Sequence, residues 1–263
     1  MDSVLSIRNE QITNRILLAL PKAEFKQILP KLRPTDLRLG RVLHRPGDRV
    51  RHVYFVNRGI ASLVQVMRDG RSVEIGTTGI EGVTSPEALF GIDAAIFQSV
   101  VQVPGTALAI DRSSLRSAME KSPLLNGLLQ GYVHVAAHQI GQTAACNRLH
   151  SLDERCCRYL LVAHDSARSD TFQLTHEFLA MMLGVQRAGV TITAGVLQRL
   201  GLIRYTRGRV TIIDRAGLEA SACECYEVIR DQFERLFSLR KPFGSGSAGD
   251  VPVFVEHCEA VVA

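Results

Sequence analysis

The chain has no apolar run near the roughly 18 residues that a membrane-spanning helix requires, so an integral membrane protein is not expected. Met1 to Glu10 carry neither a basic n-region nor an apolar h-region. No secretory signal is therefore expected, and the expected location is cytoplasmic. No cysteine precedes Cys146, so the first half of the chain offers no thiolates to an iron–sulfur cluster. No lysine or arginine lies between Ser72 and Asp111. That stretch lacks a cation to offset the desolvation of a buried phosphate. Signatures of catalysis are missing as well. No nucleophile elbow, phosphate-binding loop or metalloprotease motif occurs, and an enzyme is not expected.

The cysteines that are present sit at Cys146, Cys156, Cys157, Cys223, Cys225 and Cys258. None shows Cys-x-x-Cys spacing. Both the adjacent pair Cys156-Cys157 and the triplet Cys223-Glu224-Cys225 are closer than tetrahedral sites usually use. They read as small buried thiols on helices, and neither a metal nor a cofactor is expected. If a thiol switch exists, Cys156 and Cys157, near the junction of the two domains, are its expected place.

What remains is an ordinary globular composition of 263 residues, 46% hydrophobic and 22% charged, with a net charge of +5. Ile12, Ile16, Leu17 and Leu20 predict a helix over Glu10 to Leu20, stopped by Pro21. A second short helix around Phe25, Ile28 and Leu29 is expected to end at Pro30. From about Leu37 the texture becomes β-rich, with short runs separated by turn signals at Arg45-Pro46-Gly47-Asp48 and Asn57-Arg58-Gly59. Asp69-Gly70 between alternating runs predicts a tight hairpin, because glycine supplies the positive φ. Ser99 to Val103 and Thr106 to Ile110 read as another pair turning at Pro104-Gly105. Regular short strands predict a β-sandwich or barrel through about residue 111.

Ser122 and Pro123 read as the N-cap and first residue of a long helix. Its apolar positions are too many for one buried stripe, so two sides must be covered. A barrel on one side and an identical helix on the other would do so, with Leu129, Val133, Ala136, Ile140 and Thr143 as the dimer seam. His134 and His138 read as a polar stripe. Ser151-Leu152-Asp153-Glu154 is a capping box opening the next helix, with His164 to Asp170 as a polar loop after it.

The stretch Leu174 to Asp214 carries the functional signal. Thr175 can cap a helix over His176 to Leu183. Ala180 allows close approach, Gly184 supplies a left-handed turn, and Val190 tucks a second helix (about Gln186 to Leu200) against the first. This is a helix-turn-helix whose second helix is presented to the major groove. Ile203 and its neighbours and the run from Val210 then flank Thr206-Arg207-Gly208-Arg209, a hairpin wing. From Gln186 to Arg215 six arginines face one acid, Asp214. That is the electrostatic footprint of phosphate binding. The first turn of the second helix makes Gln186, Arg187, Ala188 and Thr191 the expected base readers. Thr175, His176, Arg207 and Arg209 are the expected phosphate contacts.

These features resemble the Crp/Fnr superfamily of bacterial transcription regulators. The resemblance rests on Leu183-Gly184-Val185-Gln186-Arg187-Ala188-Gly189-Val190-Thr191, on Gly201-Leu202-Ile203, and on Pro46-Gly47-Asp48, His52-Val53-Tyr54-Phe55, Gly59 and Asp69-Gly70-Arg71. It implies an α+β fold: an N-terminal jelly-roll barrel of cyclic-nucleotide-binding type, a long dimerisation helix and a C-terminal winged helix. The expected limits are 1–111 for the barrel with its N-terminal helices, 112–146 for the dimerisation region, 147–235 for the winged helix-turn-helix, and 236–263 for a flexible tail.

The resemblance also implies a homodimer on palindromic double-stranded DNA, with RNA polymerase as a further partner and the effector unidentified. Two departures matter. Family members often carry Glu after the recognition arginine and another Arg one turn on, where this chain has Ala188 and Ile192. The phosphate-binding Gly-Glu…Arg-Ser/Thr cassette corresponds to Gly79 to Gly91, with Gln98 or a neighbour in the place of its arginine, so cyclic AMP in the usual mode is not expected. The rival expectation is a ligand- or redox-sensing module whose winged helix binds a protein.

Overall fold

The computed structural model describes residues 6–7 and 10–238. At the start, β1 (Ser6–Ile7) pairs with β2 (Glu10–Gln11), and the first helix is only α1 (Arg15–Leu18). The expected helix from Glu10 is thus shortened, and Asn14 explains why. This fully buried residue accepts from Leu17 N (3.3 Å) as N-cap and donates to Val56 O (3.0 Å) and Gly82 O (2.9 Å). Its side chain ties the chain to the barrel, so a helix can begin only after it. The second helix, α2 (Lys22–Ile28), runs into a 3-10 turn at Leu29–Lys31 that passes through Pro30 and does not stop there.

Five strands form one antiparallel sheet: β3 (Arg33–Leu37), β4 (Val42–His44), β5 (His52–Val66), β6 (Ser72–Thr78) and β7 (Gln98–Asp111). The order is β3-β7-β5-β6, with β4 also on β7. The β5–β6 hairpin turns through Asp69-Gly70, with Gly70 at φ 84°, as its sequence predicts.

The expected turns at Asn57-Arg58-Gly59 and Pro104-Gly105 do not form. Strands β5 and β7 run straight through them as a 15-residue and a 14-residue ribbon, paired along most of their length with register shifts from Val56 to Ala61. The two glycines face each other there. A Cβ on Gly59 would lie 2.3 Å from Val103 O, and one on Gly105 would lie 2.0 Å from Arg58 O. Glycine here permits a shared bend by close backbone approach.

After the sheet come α3 (Arg112–Lys121) and the 27-residue α4 (Pro123–Leu149), capped by Ser122 Oγ accepting from Leu125 N at 2.9 Å. Helix α5 (Leu152–Ala167) opens with the Ser151/Glu154 capping box. It extends through the expected polar loop to Ala167 before Arg168 turns left-handed at φ 51°.

The chain then forms β8 (Thr171–Gln173), α6 (His176–Leu183), α7 (Arg187–Arg199), β9 (Ile203–Thr206), β10 (Arg209–Ile212), α8 (Arg215–Ser221) and α9 (Cys225–Ser238). Helix α9 returns to the N-terminal domain. Its Ile229, Phe233 and Leu236 are buried in the same core as Ile16, Leu17, Leu129 and Tyr132. Arg15 donates two hydrogen bonds to Glu234, at 2.6 and 2.8 Å.

Two expectations are corrected by this helix. Leu236 is buried within α9, so the tail does not start at residue 236, and the rest of the expected tail, 239–263, lies outside the described residues. Helix α9 also packs along α4, and with the barrel it covers part of the side that was read as facing a second copy. Leu129 and Thr143 are consequently buried inside the protomer, whereas Val133, Ala136 and Ile140 are half-buried. Leu129 and Thr143 therefore cannot belong to a dimer seam. The outward face of α4 carries His134, Ala137, Gly141 and Ala144. Among the described residues no single helix is long and apolar enough to cross a membrane.

Candidate nucleic-acid interface

Thr175 Oγ1 accepts from Phe178 N at 3.2 Å and starts α6. Gly184, at φ 64°, turns the chain left-handed, and α7 begins after Gln186. Val190 and Leu197 of α7 are buried in one cluster with Leu179, Ala180 and Leu183, and Ala194 is buried as well. Apolar burial at this spacing fixes which side of α7 faces out. Gln186, Arg187, Ala188, Thr191, Ile192 and Arg199 are exposed. All four expected base readers thus lie on one uncovered face. Ile192, 69% exposed, adds a member to it that the choice of readers from the first turn passed over.

Helix α7 is tied to its surroundings through two threonines. Thr193 Oγ1 donates to Asp153 of α5 at 2.6 Å. Thr191 Oγ1 donates to Arg187 O at 3.1 Å and lies 3.1 Å from His176 Nδ1. With the threonine proton already placed, the Nδ1 of His176 carries the hydrogen in that contact.

The His176 ring also lies 4.3 Å from Tyr205, and its Nε2 is buried without a hydrogen-bond partner. Burial, and then the charge of Arg187, lowers its pKa, favouring the neutral ring. His176, read from sequence as a phosphate contact, instead holds α7 in place. Thr175 has its hydroxyl on the α6 cap.

The wing is β9 and β10 with Arg207 at φ 49° and Gly208 at φ 74°, two left-handed residues in a tight hairpin. Arg204, Arg207 and Arg209 are exposed on it, and β8 covers the other edge of β10. Arg215 does not join this surface. Its guanidinium donates to Asp165 (2.6 Å), the Tyr226 hydroxyl (2.7 Å) and Glu219 (2.9 Å), which removes it from the expected phosphate-binding surplus.

Cys156 and Cys157 do not suit a redox role. Both are fully buried, and burial pushes the Cys157 thiol up to about 11 and the Cys156 thiol higher. A reactive thiol needs exposure and thiolate character, and these have neither.

The barrel holds a cavity of about 120 Å³ between the sheet and α4, lined by Thr78, Thr84, Ser85, Tyr132, Val133 and Ala136 among others. No lysine or arginine is among its described lining residues. The Tyr132 hydroxyl donates to Val83 O and meets Thr78 Oγ1, each at 3.0 Å, so its ring occupies the inner wall.

An antiparallel β-roll joined by a long helix to a winged helix with an exposed basic reading face defines a DNA-binding transcription regulator. Residues 34–122 match the cyclic nucleotide-binding domain family, and residues 154–221 match the Crp-like helix-turn-helix domain family. The chain belongs to the Crp/Fnr superfamily.

Solved structures share the fold. A Crp/Fnr-family regulator from Eubacterium rectale superposes with a TM-score of 0.58 at 18% identity, covering 78% of this chain and 96% of that one. FixK2 from Bradyrhizobium japonicum gives 0.60 at 15% identity, covering 73% and 98%. The c-di-GMP responsive global regulator CLP from Xanthomonas campestris gives 0.59 at 16% identity, covering 73% and 99%. No curated protein matches the chain in sequence.

Proposed function

We propose that the protein binds, as a homodimer, a palindromic operator whose half-sites lie about 34 Å apart, one helical turn of DNA. The observation that carries this reading is the uncovered face of α7, with the wing arginines beside it. Arg187 grips a guanine edge. Gln186 and Thr191 read neighbouring edges, while Ala188 and Ile192 suit a thymine methyl. Arg207 and Arg209, with Thr175 at the start of α6, set the register on phosphates. The copies meet along Val133, Ala137, Ile140, Gly141 and Ala144, a ridge whose small residues let two α4 helices approach closely. RNA polymerase is the partner through which a bound dimer acts. The barrel does not take cyclic AMP in the family's usual way, because its cavity offers no cation to the phosphate.

A second reading is a protein partner on the winged helix. It is favoured by two exposed apolar residues at that face, Ile192 (69%) and Leu200 (64%). Selection of bound duplexes from random-sequence DNA across a salt series separates the two. Recovery of one palindromic motif, with affinity falling steeply as salt rises, is expected for DNA. Absence of any enriched motif and of salt-sensitive retention supports the protein partner. Added cyclic AMP is expected to leave operator affinity unchanged.

A further inference from the structure

Three cysteines and a histidine, far apart in sequence, converge where the two domains join. Cys146 lies in the last turn of α4, and His150 is the residue between α4 and the cap of α5. Cys223 lies between α8 and α9, and Cys225 is the first residue of α9. One ligand atom from each lies within 4.8 Å of all the others. The Cys146 and Cys223 sulfurs are 3.6 Å apart, and Cys225 Sγ is 3.5 Å from His150 Nδ1. A tetrahedral zinc ion with Zn–S of about 2.3 Å and Zn–N of about 2.0 Å sets its ligands about 3.5–3.8 Å apart. The Cys146–Cys223 and Cys225–His150 pairs already have that spacing, and the remaining pairs lie within 4.8 Å.

We infer that Cys146, His150, Cys223 and Cys225 form a closed site for one zinc-class divalent cation, clamping the α4–α5 corner to the start of α9. The surroundings support a metal over four unrelated polar groups. His150 turns Nδ1 toward the sulfurs and sets Nε2 3.1 Å from a Glu224 carboxylate oxygen. A carboxylate behind a ligating imidazole fixes the tautomer and ring orientation that metal sites use. The Gln142 amide donates to Cys225 Sγ at 3.1 Å, as outer hydrogen bonds to thiolates do.

Charge fits too. Zn²⁺ with three thiolates and a neutral imidazole carries a net charge of −1, the three thiol protons leaving to solvent on binding. Arg155 and Arg158, each 8% exposed, interact electrostatically with Cys146, and each keeps a buried Nε with no hydrogen-bond partner. Two thiolates and an imidazole beside a third thiolate select a borderline-soft metal over calcium or magnesium. With four protein ligands and no open position, the ion is structural. It fixes the corner through which the long helix addresses the winged helix.

The test uses the full chain purified without chelator, with elemental analysis and Co²⁺ titration. About one zinc-class ion per chain is expected, with the thiolate-to-cobalt charge transfer and intense d–d bands of a tetrahedral site. Cys225→Ser and Glu224→Gln are expected to lower metal affinity at least about tenfold. His150→Cys is expected to retain the ion and to intensify the charge-transfer band. Cys157→Ala, outside the cluster, is expected to keep full occupancy. Should Cys225→Ser fail to fold, the wild-type cobalt spectrum decides. Weak bands without charge transfer, or a metal-free protein with a Cys146–Cys223 disulfide, overturn the proposal.

Discussion

Arg187 and Arg207 are both exposed arginines of the winged helix, but one stands on the first turn of α7 and the other on the wing tip. Their losses should therefore differ in kind. Arg187→Ala is expected to relax preference at one position per half-site, worth about 1–3 kcal/mol of discrimination. Arg207→Ala is expected to weaken all sequences alike and to reduce the salt slope by about one unit. Binding to matched and mismatched duplexes at several salt concentrations reads both, and an exchange of the two patterns would refute the assignments.

A different single residue sets a pH dependence of stability. Glu74 is 4% exposed, and burial raises its pKa to about 7, opposed by the Ser62 hydroxyl at 2.5 Å and the charge of Arg158. The unfolded carboxyl ionises near 4.5, so between the two values the folded state holds a proton that the unfolded state has lost. Stability then falls as pH rises through that window, by about 3 kcal/mol in all, and levels off above it. Glu74→Gln should remove this decline. Urea midpoints at about pH 5 and pH 8 measure it, and an equal slope in both proteins would exclude Glu74 as its source.

At the scale of elements, the features carried by local chemistry were legible. Asp69-Gly70, the Ser151/Glu154 capping box and the Thr175 cap all involve neighbours within a few residues, so sequence spacing alone describes them. Gly59 and Gly105 were misread because glycine signals either a turn or a close approach, and only the partner strand decides which. Their role is testable. Gly105→Ala and Gly59→Ala force a Cβ onto a backbone oxygen and should each destabilise by at least about 3 kcal/mol in urea unfolding. Gly70→Ala, with nothing within 4 Å of its Cβ but φ at 84°, should lose only about 1–2 kcal/mol of conformational strain. Equal losses at all three would mean that the shared bend is not a steric requirement. The cysteine cluster was illegible for a related reason. Cys146 and His150 are one turn apart on a helix, while Cys223 and Cys225 are separated by a single residue and lie far downstream. A Cys-x3-His pair is common without a metal, Cys-x-Cys is closer than tetrahedral sites usually use, and only the return of α9 to α4 unites them.

For the whole molecule, the proposed function rests on assembly. The exposed face of α7 was legible because helical periodicity separates its buried from its exposed residues. The expected dimer seam was not, because this chain's own α9 takes up part of the apolar surplus of α4. Ala137→Glu or Gly141→Glu, on the outward face, should yield monomers in sedimentation. Such monomers should bind the full palindrome at least about a hundredfold more weakly while retaining contact with a half-site. A wild-type chain that is monomeric at operator-binding concentrations would remove the two-fold arrangement.

The same helix α9 bears on synthesis. Ile229, Phe233 and Leu236 complete a core begun by Ile16 and Leu17, so hydrophobic surface at the very front of the protein waits for nearly the last described turn. During translation at roughly 5–20 residues per second, the β-roll therefore emerges from the ribosome long before its covering does. A polypeptide truncated before α9 lacks three side chains of that core, and its first domain is expected to be less stable than in the full chain.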